Sequence, residues 1–216
     1  MPFNMNREVR YSFSFTGASA LITETLAIAE EYRRLRDWRA VESVLYENNT
    51  LSKVKQSTFK REFSEIKKRL STLTDEQLAI MLDGTLDDAK AIILLALVKT
   101  YSFLYDFIVD VLRNKYLLFD TTLTDIDYFK FFNSKSLTRS ELNDLTEITT
   151  KKVKQVIFKI LEQVGLVTNL KTGSLIRPFL SEETIHAILV DDPSMLNAFL
   201  YSNEEIKGLL NKLRYA

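Results

Sequence analysis

Two stretches of the chain set cations, hydroxyls and an amide at helical spacing opposite an apolar stripe, and these are the groups that hold phosphate oxygens. In the first, Ser57, Lys60, Arg61, Ser64 and Lys68 face away from Phe59, Phe63, Ile66 and Leu70, and Lys53 and Lys55 add positive charge just ahead of them. In the second, Lys151, Lys152, Gln155 and Lys159 lie opposite Val153, Val156, Ile157, Ile160, Leu161 and Val164, counting about 100° per residue. Lysine matches phosphate by charge, glutamine can read an adenine edge, and a single helix fits the major groove of DNA. Lys171 at a turn and Arg177 beyond it would add backbone or minor-groove contacts. The plain alternative is a solvated face, which Glu62 and Glu65 strengthen in the first stretch by lying among its lysines. Two separate basic helices in a chain of zero net charge are harder to dismiss as solvated faces than one. No arginine occurs between Thr149 and Val164, so weak base preference is expected.

Signatures of catalysis are missing. Cysteine is absent and His186 is the single histidine, which excludes disulfides, thiolate zinc sites, a cysteine nucleophile and a histidine pair for a metal. Neither phosphate-cradling glycine motif occurs among the five glycines. The carboxylates at Asp83, Asp87 and Asp88, at Asp125 and Asp127, and at Asp191 and Asp192 fall at helix starts or loops, where capping explains them. Glu65-Ile66-Lys67 and Glu205-Ile206-Lys207 imitate a nuclease element but lack the acidic strand that should precede it. A metal-dependent nuclease built from loop aspartates is therefore the least favoured reading. No catalytic residue, metal ligand or cofactor is expected. His186 reads as a partly buried side chain bonded to backbone. The aromatics between Tyr101 and Phe132 read as core packing, and Trp38 as a packing anchor.

Positioning these residues falls to helices. The chain has 216 residues, of which 46% are apolar, with 29 Lys+Arg balancing 29 Asp+Glu and only five Gly and three Pro. Periodicity predicts helices over Ala18 to Arg36, Trp38 to Glu47, Lys55 to Leu70, Asp75 to Leu82, Asp87 to Lys99, Ser102 to Tyr116, Asp125 to Phe132, Ser140 to Asp144, Thr149 to Val164, Ser181 to Leu189 and Ser194 to Leu213. Thr74 before Asp-Glu-Gln and Ser181 before Glu-Glu-Thr are helix starts, and Gly84 and Gly165 are placed as left-handed ends. Asp192-Pro193 breaks the chain before the last helix. Leu94 to Leu97 is apolar all round, which puts its helix through the middle of the bundle.

Two stretches depart from helical spacing. Tyr11 to Phe15 alternates aromatic and serine, as a short strand or a packing arm would. Gly165 to Leu180 holds two apolar runs about a turn at Lys171, Thr172 and Gly173, a hairpin signal directly after an amphipathic helix. With a short helix at Ser140 to Asp144 and a turn at Leu145 to Thr149, the order is that of a winged helix-turn-helix. The expected fold is all-α: a multi-helix bundle over residues 1–133 and a winged-helix-like domain with one small β-hairpin wing over residues 134–216. The longest apolar run, Ala91 to Val98, falls far short of the ~20 residues of a membrane-crossing helix. No secretion signal is recognisable, so a cytoplasmic protein with no membrane partner is expected.

The segments YSFSFTGASALITETLAIAEEY, DWRAVESVLYENN, STFKREFSEIKKRLSTLTDEQLA, YSFLYDFIVDVLRNKY and LTEITTKKVKQVIFKILEQVGLV, in this order, resemble the BrxA family of bacterial BREX phage-defence systems. The likeness spans nearly the whole chain and contains no catalytic motif. It implies a small helical DNA-binding protein encoded with a DNA methyltransferase, an ATPase and other defence components. The expected function is that of a non-catalytic accessory protein that binds double-stranded DNA through phosphate contacts, with other defence proteins as further partners. The alternative is a protein-interaction module in which Phe158 and the basic faces meet an acidic partner.

Overall fold

A computed structural model describes residues 10–51, 55–169 and 172–215. Its helices are α1 (Ile22–Leu35), α2 (Trp38–Glu47), α3 (Gln56–Leu70), α4 (Asp75–Asp83), α5 (Leu86–Thr100), α6 (Ser102–Phe107), α7 (Asn114–Leu117), α8 (Asp125–Ser136), α9 (Glu147–Gln163), α10 (Glu182–Asp191) and α11 (Asn203–Tyr215). The fold is all-helical, and among the described residues there is no regular strand. Helix α5 is the axis. Every side chain from Ala91 to Val98 is buried, so this stretch runs through the centre of the core. Among the described residues no single helix is long and apolar enough to cross a membrane.

Hydroxyl caps set the helix starts. Thr74 with Gln77, Thr85 with Asp88 and Thr124 with Asp127 form reciprocal capping boxes. Asp88 does more than cap its own helix. Its carboxylate accepts hydrogen bonds from the Thr85 amide and hydroxyl and from the hydroxyls of Ser181 and Thr184, which joins the start of α5 to the start of α10. Burial pushes this carboxyl up, but the donors outweigh burial and hold it down at about 2.

Several boundaries differ from the periodicity. The helix expected from Ala18 begins at Ile22, because Ala18, Ser19 and Ala20 give their carbonyls to Arg69 instead of to a helical ladder. Ser102 to Leu117 is one helical stretch interrupted by a π-helical segment, Ile108–Arg113, between α6 and α7. Ser140–Leu142 is a single 3-10 turn and not a helix. The last helix is two pieces, a 3-10 segment Pro193–Phe199 and α11, parted by Leu200 in the left-handed region at φ 64°. Gly84 is extended and not left-handed, since Thr85 immediately caps the next helix. Its lack of a side chain answers a close approach, for a Cβ there would stand 2.6 Å from the Ile80 carbonyl oxygen. Gly165 does adopt the left-handed conformation, at φ 82°.

The expected β-hairpin is reduced to isolated antiparallel bridges. Val167 pairs with Leu175, and Ser174 pairs on its other side with Thr122 from the loop between α7 and α8. Leu123 donates to the Gly173 carbonyl and Leu175 to that of Thr121, each at 2.8 Å. Gly173 has φ 64°, and a Cβ on it would overlap the Leu123 carbonyl oxygen, so only glycine fits. One hydrophobic cluster runs from Tyr11 to Ile206 and draws on both sides of Asn133. The aromatics Tyr101, Phe103, Phe107, Tyr128, Phe131 and Phe132 belong to it, while Phe119 is 93% exposed. Trp38 stacks on Tyr32 with ring centroids 3.8 Å apart.

Candidate nucleic-acid interface

The two basic helices meet a common element. The 3-10 turn Ser14–Gly17 packs against both α3 and α9. From the α3 side, Arg61 lies against Gly17, where a Cβ would be 3.4 Å from its Nε, and the Ser14 hydroxyl donates to Glu65 at 3.0 Å. From the α9 side, Gln163 accepts from the Ala20 amide at 3.1 Å. The segment Tyr11 to Ala20 is thus an arm laid between the helices. Its alternating aromatics turn Tyr11 and Phe15 into the core, with Phe15 edge-on to Tyr101 at 5.1 Å.

Arg69 fixes this arm. It is fully buried, and its guanidinium donates to the carbonyls of Ala18, Ser19 and Ala20 and to the Tyr101 hydroxyl. Tyr101 in turn donates to Glu65 at 2.5 Å, so the buried cation meets a carboxylate through one phenol. Burial first, opposed by Arg69 and aided by the Glu65 hydrogen bond, pushes the Tyr101 phenol up to about 12. At its far end the arm is held by Glu141, which accepts from the Tyr11 amide, and by Asp106, which accepts from the Tyr11 hydroxyl at 2.6 Å. By residue type alone Arg69 is one more cation of the basic helix α3. Its place at the edge of the stripe marked by Ile66 and Leu70 is the signal for burial, whereas its carbonyl partners lie about 50 residues away and leave no local trace.

Helical geometry then arranges two polar rows beside the arm. Ser57, Arg61, Ser64 and Lys68 line one side of α3 at spacings of three and four, with Lys60 at its border, and all are exposed. Lys152, Gln155 and Lys159 are exposed on α9 and lead to Gln163 on the same side. Among the described residues Lys60, Arg61, Lys68, Lys152 and Lys159 have no ion pair. Lys55 is exposed at the start of α3. Lys53 and Lys171 lie outside the described residues.

Lys151, Lys154 and Arg177 are engaged within the fold. Lys151 pairs with Glu147 one turn back at 2.6 Å, and that hydrogen bond holds the Glu147 carboxyl below its usual range. Lys154 reaches Asp125 on α8 and sits over the rings of Phe129 and Phe158. Arg177 bonds Glu205 at 2.7 Å and lies 3.5 Å from the centre of the Tyr201 ring, so it ties the turn region to α11. Phe158 packs on Phe107 and Tyr128 and is not a free docking residue.

Among the described residues no group of three His, Asp or Glu side chains could hold a metal ion. Asp83 pairs with Arg33, Asp191 with Lys99, and Asp192 caps Ser194. His186 is half-exposed, and in place of the expected backbone bond its Nδ1 lies 3.4 Å from Glu76 across the α4–α10 contact. Position 186 lies on the outer side of α10, whose inner side is filled by Thr184, Ala187 and Ile188.

Comparison with known proteins agrees with this architecture. A solved structure of an uncharacterized protein from Magnetospirillum magneticum has the same fold, with a TM-score of 0.76 over 89% of this chain and 98% of that one at 22% identity. A protein of Bacillus cereus (strain H3081.97) named BREX protein BrxA is 28% identical over 151 residues, which cover 69% of this chain and 73% of that protein. The BrxA family model matches residues 9–191, a span that includes the arm, α3, α9 and the bridged turn. The chain therefore belongs to the BrxA family of BREX phage-defence proteins.

Proposed function

We propose that this protein is a non-catalytic, double-stranded DNA-binding component of a cytoplasmic BREX defence system, and that it grips phosphates with the α3 and α9 rows on either side of the arm. The observation that carries this reading is the pattern of pairing. Lys151, Lys154 and Arg177 are matched with carboxylates, whereas Lys60, Arg61, Lys68, Lys152 and Lys159, on the two rows beside the arm, are exposed and have no ion pair among the described residues. An unmatched lysine releases the counterions condensed on DNA at no cost in a broken ion pair.

In this reading α9 is the recognition helix of a winged-helix-like unit. Its support is the chain order: the helical stretch from Ser102, the bridged loop at Thr122, α8, α9, then the bridged segments at Val167 and Ser174. The unit would then begin near Ser102 and share its core with the N-terminal bundle. Gln155 is the amide that could read an adenine edge on the exposed side of α9, and no arginine stands beside it, so base preference is weak and phosphate contacts dominate. The test is binding of nuclease-treated protein to a random-sequence duplex across a salt series. A steep fall of affinity with salt supports the reading, and no binding at low salt refutes it.

A further inference from the structure

A groove of about 250 Å³ lies between α2 and α3, beside the α3 row. Tyr46, Arg39, Glu42, Gln56 and Lys60 contribute to its walls. Tyr46 is 46% exposed, although its ring has an aromatic neighbour in the buried Phe59, whose centroid is 5.4 Å away. One part of the tyrosine is therefore anchored in the core and the rest is presented to the groove. Arg39 and Lys60 are exposed and have no ion pair among the described residues. Glu42 shares the groove wall with them and has no ion pair among the described residues, while the nearby Ser43 hydroxyl is spent on Glu47 at 2.9 Å.

A ring, two cations and a carboxylate in one groove are not a phosphate site alone, because the carboxylate would repel phosphate. They do suit a nucleotide. An aromatic face takes a base, cations take its flanking phosphates, and a carboxylate accepts the N–H donors of a base edge. Guanine offers two adjacent donors, which a carboxylate can accept as a pair. Lys60 belongs both to the groove and to the border of the α3 row, so one strand could run from that row into the groove.

We propose that the α2–α3 groove holds a single unpaired nucleotide, guanine by preference, stacked on Tyr46, with its base edge on Glu42 and its phosphates on Arg39 and Lys60. This inference rests on the nucleic-acid reading above, but it concerns an unpaired base and not the duplex. The test uses the full-length protein, a fluorescent single-stranded heptamer of thymidines with G, C or T at its centre, and a blunt duplex. Tyr46→Ala should weaken heptamer binding by roughly 5- to 150-fold, the usual effect of removing one stacking ring. Duplex binding should stay within about twofold. Tyr46→Phe keeps the ring and should keep heptamer affinity, which separates stacking from a folding defect, and Glu42→Gln should erase the preference for G over T.

If the wild type binds duplex but not the heptamer, or if Tyr46→Ala binds the heptamer as well as the wild type, the groove proposal fails and the duplex reading stands. Heptamer binding that needs Tyr46, without duplex binding, keeps the groove and refutes the duplex face. A polyglutamate peptide that binds the groove in a Tyr46-dependent manner, where the heptamer does not bind, would make it a protein-docking site and overturn the proposal.

Discussion

Removing the amines of Lys152 and Lys159 tests whether ion pairing sorts interface cations from structural ones. Five exposed cations on the α3 and α9 rows, Lys60, Arg61, Lys68, Lys152 and Lys159, have no ion pair among the described residues. If each neutralises one phosphate, counterion release gives a slope of log affinity against log salt of about −4.5, at about −0.9 per contact. Affinity should then fall roughly 500-fold between 50 and 200 mM salt. The double variant Lys152→Ala/Lys159→Ala should flatten the slope to about −2.7, leaving a fall of roughly 40-fold over the same range. Arg177→Ala should leave the wild-type slope, because Arg177 is held by Glu205 and Tyr201, and should cost stability instead. Fluorescence anisotropy with a random 20-base-pair duplex reads both quantities. The reasoning is refuted if the double variant keeps the wild-type slope, or if Arg177→Ala flattens it as much as a lysine removal does.

Other perturbations probe the scaffold that holds these rows. Asp88 lowers its carboxyl from 3.8 to about 2 by folding, which converts at about 1.36 kcal/mol per pH unit to roughly 2 kcal/mol of stability. Because the folded value is depressed, this stability is present in full above pH ~4 and lost as pH falls through about 2. The gap between wild type and Asp88→Asn in urea unfolding should therefore narrow from pH 5 to pH 2, and a constant gap would sink the assignment. Arg69→Met removes a buried cation from three carbonyls and a phenol and should destabilise by about 3–5 kcal/mol, with near-ultraviolet dichroism reporting the loosened Tyr101. Gly84→Ala places a methyl 2.6 Å from the Ile80 carbonyl oxygen and should cost about 1–3 kcal/mol by thermal unfolding; a neutral effect would show that the α4–α5 turn can yield.

Helix content, the central apolar helix and the outward direction of Lys152 and Lys159 are legible in the sequence, because each depends on 3.6-residue periodicity or on a cap a few residues away. Reciprocal capping at Thr74 and the hydroxyl cap at Ser181 are local contests between one side chain and one amide, so neighbours in sequence settle them. Tertiary structure alone decided the rest. Arg69 is a surface lysine's equal in composition, yet carbonyls some 50 residues away take it into the core and stop α1 from starting at Ala18. The hairpin is cut to single bridges because Ser174 and Leu175 divide their pairing between Val167 and the loop at Thr122. Phe158 looks unpartnered on a helical wheel, but α8 and the stretch from Ser102 bring Tyr128 and Phe107 to it. The same holds for function: both basic faces can be read along the chain, but that they flank one arm follows only from long-range hydrogen bonds at Glu65, Arg69 and Gln163. Periodicity fixes which way a side chain points from its own helix, and packing fixes what it meets.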